Sequence, residues 1–125
     1  MKKIIKTDKA PAAVGPYSQA VRAGDMLFIS GQLGIDPASG KLAEGIENQV
    51  ERALENVKAI VEKAGGGMGS ITKVTVLLKS MGDFKTMNTI YGRYFTEDQP
   101  ARAAFEVAAL PLGGLVEIEA VAFLG

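Results

Sequence analysis

A guanidinium and three carboxylates fall at strand spacing near the C-terminus of this 125-residue chain. Strand alternation over 102–107 places Arg102, Ala104 and Glu106 on one face and Ala103, Phe105 and Val107 on the other. In Val116-Glu117-Ile118-Glu119-Ala120 both carboxylates share a face and the apolar residues take the opposite one. The two segments predict a sheet surface on which an arginine meets several carboxylates. Arginine's planar donors match an anionic carboxylate bidentately. A carboxylate whose pKa is raised by burial can take a proton from water or orient it. The competing reading, and the first one such a pattern invites, is an exposed strand face laced with ion pairs, since most surface charges only solubilise. Tyr17, in Gly15-Pro16-Tyr17-Ser18, stands at a loop entry where an aromatic serves packing or a ligand wall equally well. Ser30 and Gly31 end a strand, where Gly31 either permits close packing or presents its N–H to an anion.

The residue types that are missing narrow the chemistry further. The chain has no histidine, which removes Ser-His-Asp triads, imidazole acid–base catalysis and His-ligated metals together. It has no cysteine, which removes thiolate nucleophiles, zinc–thiolate sites and disulfides. No EF-hand loop is visible either, so neither a metal nor a metal cofactor is expected. The cluster GGGMGS follows a helix and precedes a strand, the wrong polarity for a phosphate loop, and matches neither glycine fingerprint. It reads as a helix stop and a flexible loop. Fourteen basic residues balance fourteen acidic ones, and there are only five Phe and three Tyr with no Trp. A nucleic-acid partner is therefore not expected, since binders carry a basic excess and aromatic stacking platforms. No apolar run is long enough for a signal peptide or a membrane span, so a cytoplasmic location is expected.

The elements that must position these residues follow from periodicity. The length and the 47% apolar, 22% charged composition suit one globular domain, 1–125. Short strands are predicted at Lys3–Thr7, Ser18–Arg22 and Met26–Gly31, the last two joined by a tight turn at Ala23-Gly24-Asp25. Ile46, Val50, Ala53, Leu54, Val57, Ile60, Val61 and Ala64 recur at helical spacing, and Gly65 stops that helix. A strand over Lys73–Ser80 precedes a second helix, with Asp83 as its N-cap and Phe84, Met87, Tyr91, Tyr94 and Phe95 along one side. Pro100 ends it, and strands at about Arg102–Val107 and Leu115–Leu124 close the chain. Strands and helices do not alternate one-to-one, which favours an α+β fold with two helices on one face of a sheet. Val74–Leu78 and Ala120–Leu124 are apolar on both faces, so the second sheet face is expected to pack on another subunit.

Taken in order, APAAVGPYSQAV (10–21), MLFISGQLGIDPASGKL (26–42), ALENVKAIVEKAG (53–65), KVTVLLKSMGDFKTMNTIYGRYF (73–95), PARAAFEVAALP (100–111) and VEIEAVA (116–122) resemble the reactive-intermediate (imine/enamine) deaminase family, the RidA/YjgF group also called endoribonuclease L-PSP. The resemblance spans nearly the whole chain. It implies a chorismate-mutase-like α+β subunit, a mixed sheet with two helices on one face, and a homotrimer with sites between neighbours. It further implies cofactor-free hydrolysis of 2-aminoacrylate-type imines to a 2-oxo acid and ammonia. By matched position, Arg102 would clamp the substrate carboxylate and Glu117 would engage the attacking water or the leaving nitrogen. Tyr17, Ser30, Gly31 and Asn88 would line the pocket, with Glu106 in support, and Arg102 and Tyr17 would come from different subunits. Many members carry cysteine two residues after the arginine, where this chain has Ala104. Two other functions compete: a trimer that binds a small carboxylate without turnover, and a ribonuclease or translation inhibitor, which the neutral charge and lack of histidine disfavour.

Overall fold

A computed structural model describes all residues from Met1 to Gly125. Six strands form one sheet: β1 (Lys2–Ile5), β2 (Ala20–Ala23), β3 (Met26–Leu33), β4 (Ile71–Leu78), β5 (Ala101–Glu106) and β6 (Val116–Phe123). Helix α1 (Gly45–Lys63) joins β3 to β4 and α2 (Phe84–Tyr94) joins β4 to β5. The spatial order is β1-β2-β3-β6-β4-β5, antiparallel throughout except for the parallel pair β4–β5. That one parallel pair requires a crossover, and α2 supplies it. The predicted α+β class and the two helices on one face are what the chain adopts.

The helix side of the sheet is the core. Leu27, Ile29, Val74, Val76, Leu78, Val116, Ile118, Ala120 and Ala122 face it at strand alternation. Val50, Ala53, Leu54, Val57, Ile60 and Val61 on α1 meet them, as the 3.6-residue period predicts. At the end of α1 Gly65 adopts φ +97°, and the Gly65 and Gly66 N–H groups donate to the Glu62 and Val61 carbonyls. The glycine cluster is thus the helix stop expected of it. The opposite sheet face carries no element. Ile4, Val21, Phe28 and Val121 form one row across four strands on that side, with Phe28 49% exposed and Phe123 50% exposed.

Two local expectations fail for physical reasons. Asp83 occupies the N-cap position of α2, but its side chain makes no capping bond and its backbone is already helical (φ −90°, ψ 0°). A short 3₁₀ turn, Met81–Asp83, takes over: Ser80 Oγ accepts from Gly82 N–H, and Glu106 Oε1 accepts from Met81 N–H at 2.9 Å. Nor does β3 end at Gly31. It runs on to Leu33 through an irregularity between Ile29 and Gln32, where an extra residue shifts the pairing with β6.

Buried amides hold the loops. Gln19, 3% exposed, accepts from Thr7 N–H at 2.7 Å and donates to the carbonyls of Thr7, Ala10 and Pro11. Gln19→Ala removes this partner from four backbone groups; an unpaired buried polar group costs roughly 1–3 kcal/mol, and three of these bonds are only part-buried, so water recovers much of that loss. Chemical denaturation should show a loss of about 2–4 kcal/mol, with the 6–18 loop becoming protease-sensitive first. An unchanged midpoint would remove Gln19 from this role.

Candidate active site

The arginine and the carboxylates do not meet on one surface of the subunit, contrary to the sequence expectation. The register pairs Arg102 with Val74, Ala104 with Val76 and Glu106 with Leu78, all facing the helix layer. Glu117 pairs with Leu77 and Glu119 with Thr75, facing the open side. Alternation predicts faces within one strand, but only the pairing of β5 and β6 with β4 relates their phases, and it sets them opposite. Ion-pair lacing fails as well: Arg22–Asp25 at 3.3 Å is the one ion pair in the subunit.

Arg102 lies at the sheet edge against α2. Its Nη1 donates to Asn88 Oδ1 at 2.7 Å, the only side-chain hydrogen bond it makes. The guanidinium carbon sits 4.7 Å from the Tyr91 ring centre and 5.6 Å from that of Phe84. A hollow of about 430 Å³ opens here, lined by Asn88, Tyr91, Gln99 and Arg102 among others. Ala104, half-buried, packs against the core two residues on, so its methyl fills space beneath the sheet. Glu106, by holding the turn that opens α2, fixes the helix that carries Asn88.

The second group gathers where β3 leaves its regular pairing. Ser30 Oγ donates to the Ser18 carbonyl at 2.6 Å, and Ser30 N–H donates to the Gln19 carbonyl at 2.9 Å. This binds the Tyr17 turn to β3. Tyr17 is half exposed; its N–H donates to the Gly15 carbonyl, and its hydroxyl accepts from Val14 N–H at 3.4 Å. Glu117 lies against Gly31, where a Cβ would stand only 2.7 Å from its Oε2. A side chain at position 31 would push the Glu117 carboxylate out of this place. Burial raises the Glu117 pKa above the ordinary carboxylate value, and the neighbouring Glu119 charge raises it further. A hollow of about 350 Å³ on this face is lined by Ser18, Phe28, Ser30, Thr75 and Glu119, beside Glu117 rather than over it. The largest hollow, about 510 Å³, runs along the outer side of α1 and contains none of these residues.

The chain therefore carries two separate groups of candidate residues, Arg102 with Asn88 on one face and Glu117, Gly31, Ser30 and Tyr17 on the other. Sequence reasoning found the members of both but overlooked the aromatic floor under Arg102. Phe84, Asn88 and Tyr91 stand at i, i+4 and i+7 on α2, a spacing that reads as core packing. It also missed Gln19, which the sequence reading places inside a strand over Ser18–Arg22, whereas β2 begins at Ala20.

The profile of the family described as endoribonuclease L-PSP matches residues 7–124. The chain is 52% identical over 126 residues to the 2-iminobutanoate/2-iminopropanoate deaminase of Bos taurus, covering 100% of this chain and 92% of that protein. Among solved structures, RidA of the Antarctic bacterium Psychrobacter superposes with TM-score 0.95 at 50% identity, covering 97% and 98% of the two chains. Escherichia coli TdcF, with bound serine, superposes with TM-score 0.94 at 44% identity, covering 98% and 99%. A profile match over nearly the whole length, together with full-length identity near one half, shows that the chain belongs to the RidA/YjgF family.

Proposed function

We propose that this protein is a cofactor-independent imine deaminase that converts 2-imino acids, the tautomers of 2-aminoacrylate-type enamines, to 2-oxo acids and ammonia. The observation that carries the reading is full-length identity of 52% to a 2-iminobutanoate/2-iminopropanoate deaminase, joined to a residue set suited to that chemistry. The separation of Arg102 from Glu117 supports a site completed between subunits. A neighbour's β5 edge would bring Arg102 over the Glu117 side, and the uncovered apolar face would be buried in the same assembly. A chorismate-mutase-like homotrimer, three sites per assembly, satisfies both requirements. Serine bound to TdcF, a relative of similar shape, supports a ligand of amino-acid size.

In this reading Arg102 holds the substrate carboxylate with two parallel N–H donors. Tyr17 and Ser30 wall the pocket, with Gly31 leaving room for the Glu117 carboxylate beneath it. Water adds to C2 of the iminium, and Glu117 accepts the proton it releases. Glu117 returns that proton to the carbinolamine nitrogen; the C–N bond then breaks as ammonia leaves, and the hydroxyl proton passes to the Glu117 carboxylate as the oxygen becomes the ketone. The water supplies the oxygen, so oxidation states balance without any cofactor. Positioning can supply much of the acceleration, because the substrate is already electrophilic. Ala104 contributes space rather than a thiol. No helix is long and apolar enough to cross a membrane, and a cytoplasmic enzyme acting on a small molecule, without nucleic acid, fits the neutral net charge.

The decisive experiment measures ammonia release from 2-iminobutanoate generated in situ, beside calorimetry with 2-oxobutyrate and the mass in solution. Accelerated release by a trimer supports the proposal. Binding without acceleration would make the protein a carboxylate-binding trimer, and a monomer would remove the shared site.

A further inference from the structure

Arginine is long and flexible, and an exposed guanidinium with one hydrogen bond would sample many rotamers. Arg102 is exposed at the edge of the sheet, and yet it is surrounded on its inner side. Phe84, Asn88 and Tyr91 form one stripe of α2, and all three touch the same guanidinium: two rings beneath it and one carboxamide oxygen at Nη1. Tyr91 is the deepest of them, 5% exposed. Its ring is tilted against Phe95 at 4.6 Å, which holds the ring itself still. Its hydroxyl is buried and has no hydrogen-bond partner. A buried hydroxyl without a partner is a cost, so the ring rather than the oxygen explains the residue's place. A cation over an aromatic face is attracted by the ring quadrupole, and the Asn88 oxygen selects which nitrogen is tied down. With Nη1 committed to Asn88, the Nε and Nη2 pair is the edge left free, the pair with the parallel geometry that a carboxylate needs.

We propose that Tyr91, with Phe84, is a positioning residue that acts through Arg102, locking the guanidinium so that its Nε–Nη2 edge faces the ligand's carboxylate. The inference deepens the deaminase reading and rests on it for the identity of the ligand. The immobilisation of Arg102 can be tested without that reading.

Two measurements separate the possibilities. NMR order parameters of the Arg102 Nε–Hε group, taken without ligand, should be close to the rigid-backbone value of about 0.85 in the parent chain and in Tyr91→Phe. They should fall below about 0.6 in Tyr91→Leu and, if that variant does not fold, in the milder Phe84→Leu. Kinetics with 2-iminobutanoate should show KM raised roughly tenfold in Tyr91→Leu with kcat little changed, and Tyr91→Phe restoring the parent value. The same variants should lose nothing toward the uncharged 2-imino amide, which offers Arg102 no carboxylate. In a double-mutant cycle, Tyr91→Leu should add no further loss once Arg102 is alanine. An Nε–Hε group equally ordered in the Leu variants would overturn the proposal, as would equal losses on acid and amide. Turnover that survives Arg102→Ala would overturn the deaminase assignment of Arg102 instead, leaving the immobilised side chain as measured.

Discussion

Arg102→Ala should lower kcat/KM for 2-iminobutanoate by roughly 10²–10³-fold, since truncating one partner of a hydrogen-bonded charge pair costs about 2–5 kcal/mol and each 1.36 kcal/mol is tenfold. The side chain lies at the edge of the sheet with one hydrogen-bond partner, Asn88, so its removal opens no core cavity. The melting temperature and the mass of the assembly should stay near those of the parent. Arg102→Lys keeps the charge but not the planar fork, and should recover only part of the loss. Steady-state ammonia release with static light scattering reads both effects. Activity within a few-fold of the parent would remove Arg102 from the site.

Glu117→Gln should lower kcat by roughly 10²–10⁴-fold, the usual contribution of a positioned acid–base group. The pH profile supplies a second signature. Burial, then Glu119, raises the Glu117 pKa, so its conjugate acid persists to a higher pH than an ordinary carboxylic acid would. Protonated Glu117 cannot accept a proton from water, so activity should fall as pH drops through that raised pKa. Glu119→Gln removes the like charge and should move this acid limb to lower pH, while Glu117→Gln should abolish it. The opposed faces of Arg102 and Glu117 make one more outcome of the proposed trimer specific. Unfolding and refolding an equal mixture of the inactive Arg102→Ala and Glu117→Gln chains should restore activity, because about one interface in four then receives both intact residues. No recovery from a mixture that forms hybrid trimers would overturn a site built from Arg102 of one chain and Glu117 of its neighbour.

Much of this molecule is legible in its amino acids. The α1 stripe from Val50 to Val61 meets the sheet because its 3.6-residue period leaves no other buried face. The alternation in VEIEA puts Glu117 and Glu119 together on the side away from Ile118, as local geometry requires. The absence of histidine and cysteine removes imidazole and thiolate chemistry, and the motifs 100–111 and 116–122 identify the family before any coordinates. These are properties of short segments, and short segments obey local rules.

Relations between segments are a different matter. Whether Arg102 and Glu117 share a face depends on how β5 and β6 each pair with β4, and shifting either pairing by one residue would reverse the answer. The extra residue between Ile29 and Gln32 sets Gly31 beside Glu117, a contact no sequence period announces. Gln19 becomes a four-bond anchor only once residues 7–11 fold back over it. The α2 stripe Phe84, Asn88 and Tyr91 becomes a seat for a guanidinium only because the crossover lays it against the start of β5. Residue type and spacing determine which groups are available and which face of its own element each takes. Tertiary pairing decided which groups meet, because register and packing are set by the core as a whole.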